Sequence, residues 1–339
     1  MKPAPLSPSE VEVVTVTYGE RWGLLRQVIS AALSEGAGGV TVVDNAAAPG
    51  LAGRIAAEFD SRVQLIHHST NLGSAGGFAA GMRAALTRTK RFICLLDDDN
   101  VLAPGCLASL LATYTAQDMP SAPAHSAVLA FRPEHYVAGS LAQQQRERSS
   151  YLGFHVADIG HKLLRHLGHR CAPQSQGGEV RWGPWGGLLF HRAVPESIGL
   201  PRADYVLYND DIEWTLRLTD AGGRIVLDRQ ARIVDVDQSG HAAANYPNVF
   251  VALLTGSSDM RMYYEFRNRS HLEQLRNRRP DLVMRVNRLL FWLILQIYAL
   301  ALGRPQRLRL LKAARHDGES GRLGTCPAYP LPACNGEAA

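Results

Sequence analysis

The chain has 339 residues, of which 46% are hydrophobic and 20% charged, and this length suits one large domain or two small ones. The composition excludes collagenous, disordered and disulfide-framework proteins. A net charge of +5 is compatible with a nucleotide or an anionic membrane as partner and selects neither. Five scattered cysteines without a C-x-x-C pair argue against a zinc site and indicate a cytosolic chain with free thiols.

The N-terminal part of the chain alternates between apolar runs of strand length and stretches with helical spacing. Residues 1–16 contain no long apolar core, so a signal peptide is not expected. Strand alternating with helix at this pace is typical of βα units and predicts an α/β fold with a mainly parallel sheet covered by helices. Strands are predicted at 11–18, 40–45, 63–68 and 91–96, and helices at 24–33, 51–59 and 76–89.

The C-terminal part is less regular, and loops dominate residues 126–200. Strand patterns return at 224–228 and 231–237, and the Gly/Pro-rich residues 316–339 are predicted to form a flexible tail. Helices are predicted within 103–125 and at 212–222, 260–279 and 281–315.

An apolar segment at residues 289–302 admits two interpretations. It is interrupted only by Gln296 and is shorter than the ~20 residues that span a bilayer. It is either a helix buried against the main domain or a helix lying in a membrane interface. Arginines on both sides of the segment favour the interface, where they would contact anionic head groups.

Acidic and polar residues follow the predicted strands. Three carboxylates, Asp97, Asp98 and Asp99, end the fourth strand, and ligands of open α/β sheets collect at such strand ends. Mg²⁺ or Mn²⁺ would make this concentration of charge tolerable. In a D-x-D spacing at a strand end, the side chains of Asp97 and Asp99 point to the same side and that of Asp98 points elsewhere. The alternative is a helix N-cap or a solvated turn. Thr17, Asp44 and Asn71 follow the first three strands.

Two further stretches contain candidate ligand groups. The glycines of "NLGSAGGFAAG" (71–81) precede a helix, where backbone N–H groups attract phosphate, although they equally permit tight helix packing. A second acidic cluster, "YNDDIEW" (208–214), contains either exposed acids of a helix N-terminus or a general base, if it faces the first cluster. Upstream, Trp182 and Trp185 stand among glycines, either in the core or as platforms for a sugar.

These blocks, in this order, resemble an inverting family-two glycosyltransferase of the GT-A fold. The similarity is to bacterial galactofuranosyltransferases and rhamnosyltransferases, and it covers most of residues 11–272. It rests on "VTVTY" with "VVDN", "NLGSAGGFAAGM", "LLDDDN", "WGPWGGLLF" with "YVLYNDDIEWTLRLTDAGG", and "RMYYEFRNRSHL".

The resemblance implies an organisation of the chain and of its reaction. Residues 1–250 would form the GT-A domain, with a nucleotide-sugar half at 11–125 and an acceptor half at 126–250. Residues 251–315 would form a C-terminal helical region. The protein would be cytoplasmic, either free or peripheral on the inner membrane through 285–315. Its partners would be a UDP- or dTDP-linked donor and a glycan or lipid-linked acceptor, without nucleic acid.

The resemblance also implies roles for individual residues. Asp211 would be the general base. Mn²⁺ or Mg²⁺ would be held by Asp97 and Asp99, with His241 as a third ligand or as a loop histidine without a ligand role. The residues implied in donor binding are Thr17, Asp44, Asn71, Gly76, Asp97 and Asp98. Those implied in acceptor binding are Trp185, Gly186, Gly187, Asp210, Glu213 and Trp214.

Several activities remain open at this point. The triple aspartate and the paired acids favour UDP-galactofuranose as the donor over dTDP-rhamnose. A nucleotidyltransferase would also hold Mg²⁺ on acids at strand ends, but "TYGERWG" is a poor version of the glycine-rich loop that it needs after the first strand. A catalytically inactive sugar-binding module would not need two acidic clusters.

Overall fold

The computed structural model describes residues 6–133, 149–157, 178–237, 246–277 and 279–332, which form a mixed α/β domain followed by a helical region. The strands are β1 (Val11–Gly19), β2 (Gly39–Ala47), β3 (Val63–His68), β4 (Phe92–Asp97), β5 (Asn100–Leu102), β6 (Ser126–Phe131), β7 (Gly178–Val180), β8 (Leu188–His191) and β9 (Arg224–Asp235). The helices are α1 (Trp22–Ser34), α2 (Leu51–Glu58), α3 (Gly73–Thr87), α4 (Cys106–Ala116), α5 (Ala193–Ile198), α6 (Asp210–Asp220), α7 (Val249–Thr255), α8 (Asp259–Arg276), α9 (Leu282–Ala301) and α10 (Pro305–Glu319).

The sheet has the strand order β3-β2-β1-β4-β8-β6-β9-β5, with β7 also paired to β9. Strands β1 to β4 are parallel, as the sequence predicts. The rest of the sheet is mixed, because β8 runs antiparallel to both of its neighbours, β4 and β6. Strand β9 is again parallel to β6. The carboxyl ends of β1, β4, β6 and β9 therefore share one edge of the sheet with the residues that precede β8.

The glycines of α3 allow this helix to lie very close to the sheet. A Cβ atom added at Gly77 would lie 2.5 Å from Cγ1 of Val16, and one added at Gly81 would lie 2.4 Å from Cγ1 of Val14. Strand β1 is buried on this face. Two interpretations of the "NLGSAGGFAAG" stretch were open, phosphate binding and tight helix packing. Gly77 and Gly81 serve the helix packing.

One predicted helix of the helical region differs from the structure. The single helix expected over 281–315 is two helices, α9 and α10, and the break has a local cause. Gly303 adopts a left-handed conformation with φ of +65°, and Pro305, which lacks a backbone N–H, begins α10. Helix α10 then turns back to pack on α8 and α9.

The predicted flexible tail is packed against the helical region as far as residue 332. Helix α10 continues to Glu319. Beyond it, the ring of Tyr329 stacks on Tyr263 with a centroid distance of 4.5 Å, and the backbone N–H of Cys326 donates to the hydroxyl of Tyr264 at 2.9 Å. Aromatic contacts that composition alone does not reveal hold this segment.

We expect Gly81→Ala to lower the free energy of unfolding by about 1–3 kcal/mol, because the new methyl group overpacks the interface between α3 and the sheet. Gly53 in α2 is the matched control, since a Cβ there meets no atom within 4 Å. Gly53→Ala should raise stability by about 0.5–1 kcal/mol through helix propensity. Urea denaturation of both variants measures the difference, and a stabilising Gly81→Ala would refute the packing role.

Candidate active site

The acidic triplet lies where β4 ends, at the shared edge of the sheet, and Arg21 is its first counter-ion. The Arg21 Nε donates to both Asp98 oxygens at 3.0 and 2.9 Å, and its two terminal nitrogens contact Oδ2 of Asp99 at 3.2 Å and Oδ2 of Asp237 at 2.9 Å. Asp98 also accepts a hydrogen bond from Thr17 Oγ1 at 2.7 Å. Asp98, which the resemblance implies in donor binding, thus connects the loop after β1 to the triplet.

A second arginine lies on the other side of the triplet. Arg132 Nη2 contacts Oδ1 of Asp235 at 2.6 Å, and its Nη1 lies 3.8 Å from Oδ2 of Asp97. Asn100 donates to the same Asp235 oxygen at 2.6 Å. A Cβ added at Gly186 would lie 2.1 Å from Oδ1 of Asn100, so only glycine fits at this position. Buried charges of opposite sign are arranged here as mutual partners.

Asp97 is the most exposed member of the triplet. The space between it and the start of α6 is called the cleft here. The Asp97 side chain is 40% exposed, and no described residue donates a hydrogen bond to it. Desolvation by the surrounding protein raises the Asp97 pKa to about 7, Arg132 opposes the shift, and the charges of Asp99, Asp98 and Asp210 add to it. A carboxylate with this little compensation is suited to receive a cation.

The described residues contain no group of three His, Cys, Asp or Glu side chains arranged as a complete metal site. Mg²⁺-type ions, however, need only one or two carboxylates when waters and substrate phosphates supply the other ligands. Asp97, together with the partly exposed Asp99, fits that requirement. His241 lies outside the described residues.

The second acidic cluster begins α6 and faces the first one. The Asp210 charge raises the pKa of Asp97. Desolvation raises the pKa of Asp211 far above the usual range, and the charges of Asp210 and then Asp97 add to the shift. Asp210 is buried and accepts hydrogen bonds from Trp185 Nε1 at 2.9 Å and Ser74 Oγ at 3.0 Å. Asp211 is less buried than Asp210, and its carboxylate accepts from the Ile212 backbone N–H at 2.7 Å.

A strained loop in front of α6 sets the position of these two acids. Val206, Tyr208 and Asn209 have φ of +65°, +66° and +59°, which is costly for a β-branched or bulky residue. The side-chain amide of Asn268 in α8 donates to the carbonyls of Tyr205, Leu207 and Tyr208 at 2.7–2.9 Å. These bonds hold the loop in its strained form, so the helical region helps to build the site.

The predicted donor residues lie at the ends of the first strands. Asp44 at the end of β2 accepts from the Ala47 N–H at 2.6 Å and lies 2.8 Å from Nδ1 of His67. Asn71 accepts from the Gly73 N–H at 2.9 Å and from the Asn45 amide at 3.0 Å. Gly76 is buried in α3, where an added Cβ would lie 2.7 Å from Cβ of Leu72.

The predicted acceptor residues divide into two groups. Trp185, Gly186 and Gly187 precede β8 at the edge of the cleft, and Trp185 is itself buried, so it positions Asp210 rather than exposing a ring face. Glu213 and Trp214 lie on the core side of α6. Glu213 pairs with Arg217 at 3.1 Å, and the fully buried Trp214 donates to the Gly199 carbonyl at 2.8 Å. The structure therefore gives Glu213 and Trp214 packing contacts away from the cleft.

Sequence reasoning missed the two arginines, Asp235, Asp237 and Asn268. A signal existed for Arg21, a basic residue directly after β1, and for Arg132, a basic residue directly after β6. Asn268 lies in the "RMYYEFRNRSHL" block, but nothing in that block indicates that its amide reaches a loop some 60 residues away.

Comparisons with known proteins give a family match and a similar fold. Residues 12–166 match the profile of the family described as Glycosyl transferase family 2. The fold is similar to the crystal structure of GalNAc-T7 with UDP, GalNAc and Mn2+, with a TM-score of 0.53 and 12% identity over 80% of this chain and 48% of that one. The structure of S. aureus TarS aligns with a TM-score of 0.45 and 13% identity over 82% of this chain and 41% of its own. The chain thus spans about half the length of these proteins or less. No protein of curated function matches the sequence significantly.

Replacing Arg21 by Met should lower the free energy of unfolding by about 3 kcal/mol, because it leaves the buried Asp98 without its counter-ion. The double variant Arg21→Met/Asp98→Asn should recover part of that loss. Arg26→Met is the matched control: this exposed arginine of α1 pairs with the half-exposed Glu58, and such pairs contribute under about 1 kcal/mol. Chemical denaturation in EDTA measures all three, and equal losses for Arg21→Met and Arg26→Met would contradict the counter-ion role.

Proposed function

We propose that this chain, whose residues 12–166 match the profile of the family described as Glycosyl transferase family 2, transfers a sugar, with inversion, from a nucleotide-diphosphate donor to a hydroxyl group. The acceptor is a growing cell-surface glycan or a lipid-linked saccharide. The observation that carries the proposal is that two acidic clusters face each other across one cleft. The triplet after β4 is suited to bind a cation, and the cluster at the start of α6 is suited to accept a proton.

Asp211 is the general base in this proposal. A base must be able to accept a proton, and Asp211 combines a raised pKa with a less buried position than its neighbour Asp210. The acceptor oxygen attacks the anomeric carbon while its proton passes to the Asp211 carboxylate. The bond between the anomeric carbon and the diphosphate oxygen breaks, and its electron pair leaves with the diphosphate. Attack on the face opposite the leaving group inverts the anomeric centre.

Asp97 and Asp99 would hold a divalent metal, either Mn²⁺ or Mg²⁺. When bound, the metal supplies Lewis-acid neutralisation of the diphosphate leaving group. GalNAc-T7, which shares the fold, was crystallised with UDP and Mn2+, which supports a uridine nucleotide and a divalent ion here. Arg21 and Arg132 keep the carboxylates in place from the protein side.

The donor nucleotide would lie along the ends of β1, β2 and β4. Thr17, Asp44, Asn71 and Gly76 line or shape this part of the edge, and Asp98 keeps the β1 loop against it. UDP-galactofuranose is the proposed donor, because the triple aspartate and the paired acids at the start of α6 favour it. dTDP-rhamnose is the alternative on the same site.

The acceptor would enter between the segment before β8 and the start of α6. Trp185 and Gly186–Gly187 give this wall its shape, and the hydrogen bond from Trp185 fixes Asp210 beside the base. The reaction is proposed to occur in the cytoplasm, where nucleotide sugars are available.

Nucleotide release from a donor panel tests the proposal: UDP-galactofuranose, dTDP-rhamnose, UDP-galactopyranose and UDP-N-acetylglucosamine, each with Mn²⁺. We expect slow hydrolysis of UDP-galactofuranose that is lost in EDTA. Asp99→Ala should weaken donor binding in Mn²⁺ and change it little in EDTA. Equal effects of Asp99→Ala under both conditions would mean that the triplet is only structural. Donor binding without any release, even with acceptor glycans added, would indicate an inactive binding module.

Asp211→Asn should reduce transfer at least about 100-fold, the lower range for general-base catalysis, and leave metal-dependent donor binding intact. In the wild type, transfer should rise with pH as Asp211 deprotonates through its raised pKa. The same raised pKa means that the stability of the fold falls as the pH rises from about 4, where the carboxyl of the unfolded chain ionises, to the raised pKa of the folded one, so Asp211→Asn should be the more stable protein at pH 8. Asp220→Asn, at the exposed end of α6, is the matched control and should retain transfer. Loss of donor binding in Asp211→Asn would remove the base assignment.

A further inference from the structure

Helix α9 presents an almost wholly apolar face to the outside of the protein. The face consists of Leu282, Val286, Leu289, Leu293, Ile297 and Leu300, whose side chains are between 42% and 76% exposed. Their spacing of three or four residues places them in one stripe along the helix. Gln296, also exposed, interrupts the stripe. Exposed apolar side chains are ordinary when scattered, but six of them along one face of a helix indicate a contact surface.

The opposite face of α9 is covered by the protein itself. Phe291, Leu295 and Ala299 are buried, and the ring of Phe291 packs against Phe250 with a centroid distance of 5.4 Å. Among the described residues, α9 is the one helix long and apolar enough to cross a membrane by length and composition. Because one side of it is fixed to the body, lipid cannot surround it, and the helix can only lie along a surface.

The charged residues of α9, and of α10 as far as residue 316, have one sign. Residues 282–316 contain no aspartate or glutamate. Three of their arginines are held by acids elsewhere, in the pairs Arg288–Glu319, Arg307–Asp259 and Arg315–Glu319. The remaining cations are exposed, and none of them forms an ion pair with a described residue. They are Arg285, Arg304, Arg309 and Lys312.

From these observations we infer that the outward face of α9, together with Arg285 of α9 and the exposed cations of the turn and helix that follow it, forms a docking surface for an anionic phospholipid bilayer. The apolar stripe lies among the acyl chains near the head groups, and the cations contact the lipid phosphates. A second copy of this chain fits the surface less well. A two-fold contact would place these cations against the same cations of the other copy, and residues 282–316 contain no acid that could neutralise them. The surface does not depend on the sugar-transfer activity.

Flotation of the full chain with vesicles tests the inference. We expect the protein to float with vesicles of phosphatidylglycerol and phosphatidylcholine and to remain behind with phosphatidylcholine alone. Raising the salt from about 0.1 M to about 1 M should weaken flotation, because the Debye length falls from about 10 Å to about 3 Å.

Substitutions on the surface separate the apolar from the electrostatic contribution. Leu289→Gln/Leu293→Gln should lower the vesicle partition coefficient at least about tenfold, and Gln296→Leu should raise it severalfold. Lys312→Glu should lower it about fivefold or more. Arg83→Glu, which changes the same charge on the exposed side of α3, is the matched control and should leave it unchanged.

Absence of flotation, or equal flotation with neutral vesicles, would overturn the inference. A dimer that disappears in Leu289→Gln/Leu293→Gln, in a protein that does not float, would assign the stripe to a second copy instead. Donor hydrolysis in free solution is measured on every variant. Its retention in variants that no longer float separates a failure of this surface from a failure of the proposed activity.

Discussion

Repulsion among carboxylates is the constraint on which the rest of this structure depends. Asp97, Asp98 and Asp99 meet two further acids, Asp235 and Asp237, at one edge of the sheet. So many negative charges can share a partly desolvated cleft only if cations are built in. Arg21 and Arg132 supply them from the ends of β1 and β6, and they leave the Asp97 carboxylate as the least compensated group. The same arrangement that stabilises the fold therefore leaves one position where a further cation is favoured.

The second half of the molecule brings the other acids to this edge. Strand β8 runs against its neighbours, so the residues before it, with Trp185, lie beside the end of β4. Helix α6 begins at the same place, behind a loop whose strained backbone is held by the Asn268 amide. Desolvation raises the pKa values of Asp97 and Asp211, and the acidic clusters that face each other add to both shifts.

The helical region has two faces with different surroundings. Its inner face, through Asn268 and the aromatic side chains around Phe291, supports the active-site loop and forms a separate apolar core. Its outer face leaves the α9 stripe and a set of cations uncovered. The proposed acceptors, lipid-linked or surface glycans, lie at a membrane. The docking surface inferred for α9 would bring the proposed enzyme close to them.

The sequence by itself determined the βα order of the first hundred residues, the acids at their strand ends and the start of the second acidic cluster. Hydrophobic periodicity and turn residues are local, and they carry this information directly. Tertiary structure alone decided that Arg21 and Arg132 neutralise the triplet, that Trp214 is core and that Asn268 holds a distant loop. Those facts depend on contacts between residues far apart in the chain, such as Arg21 with Asp237. They also depend on the topology of the sheet, in which the antiparallel direction of β8 has no local signature in the sequence.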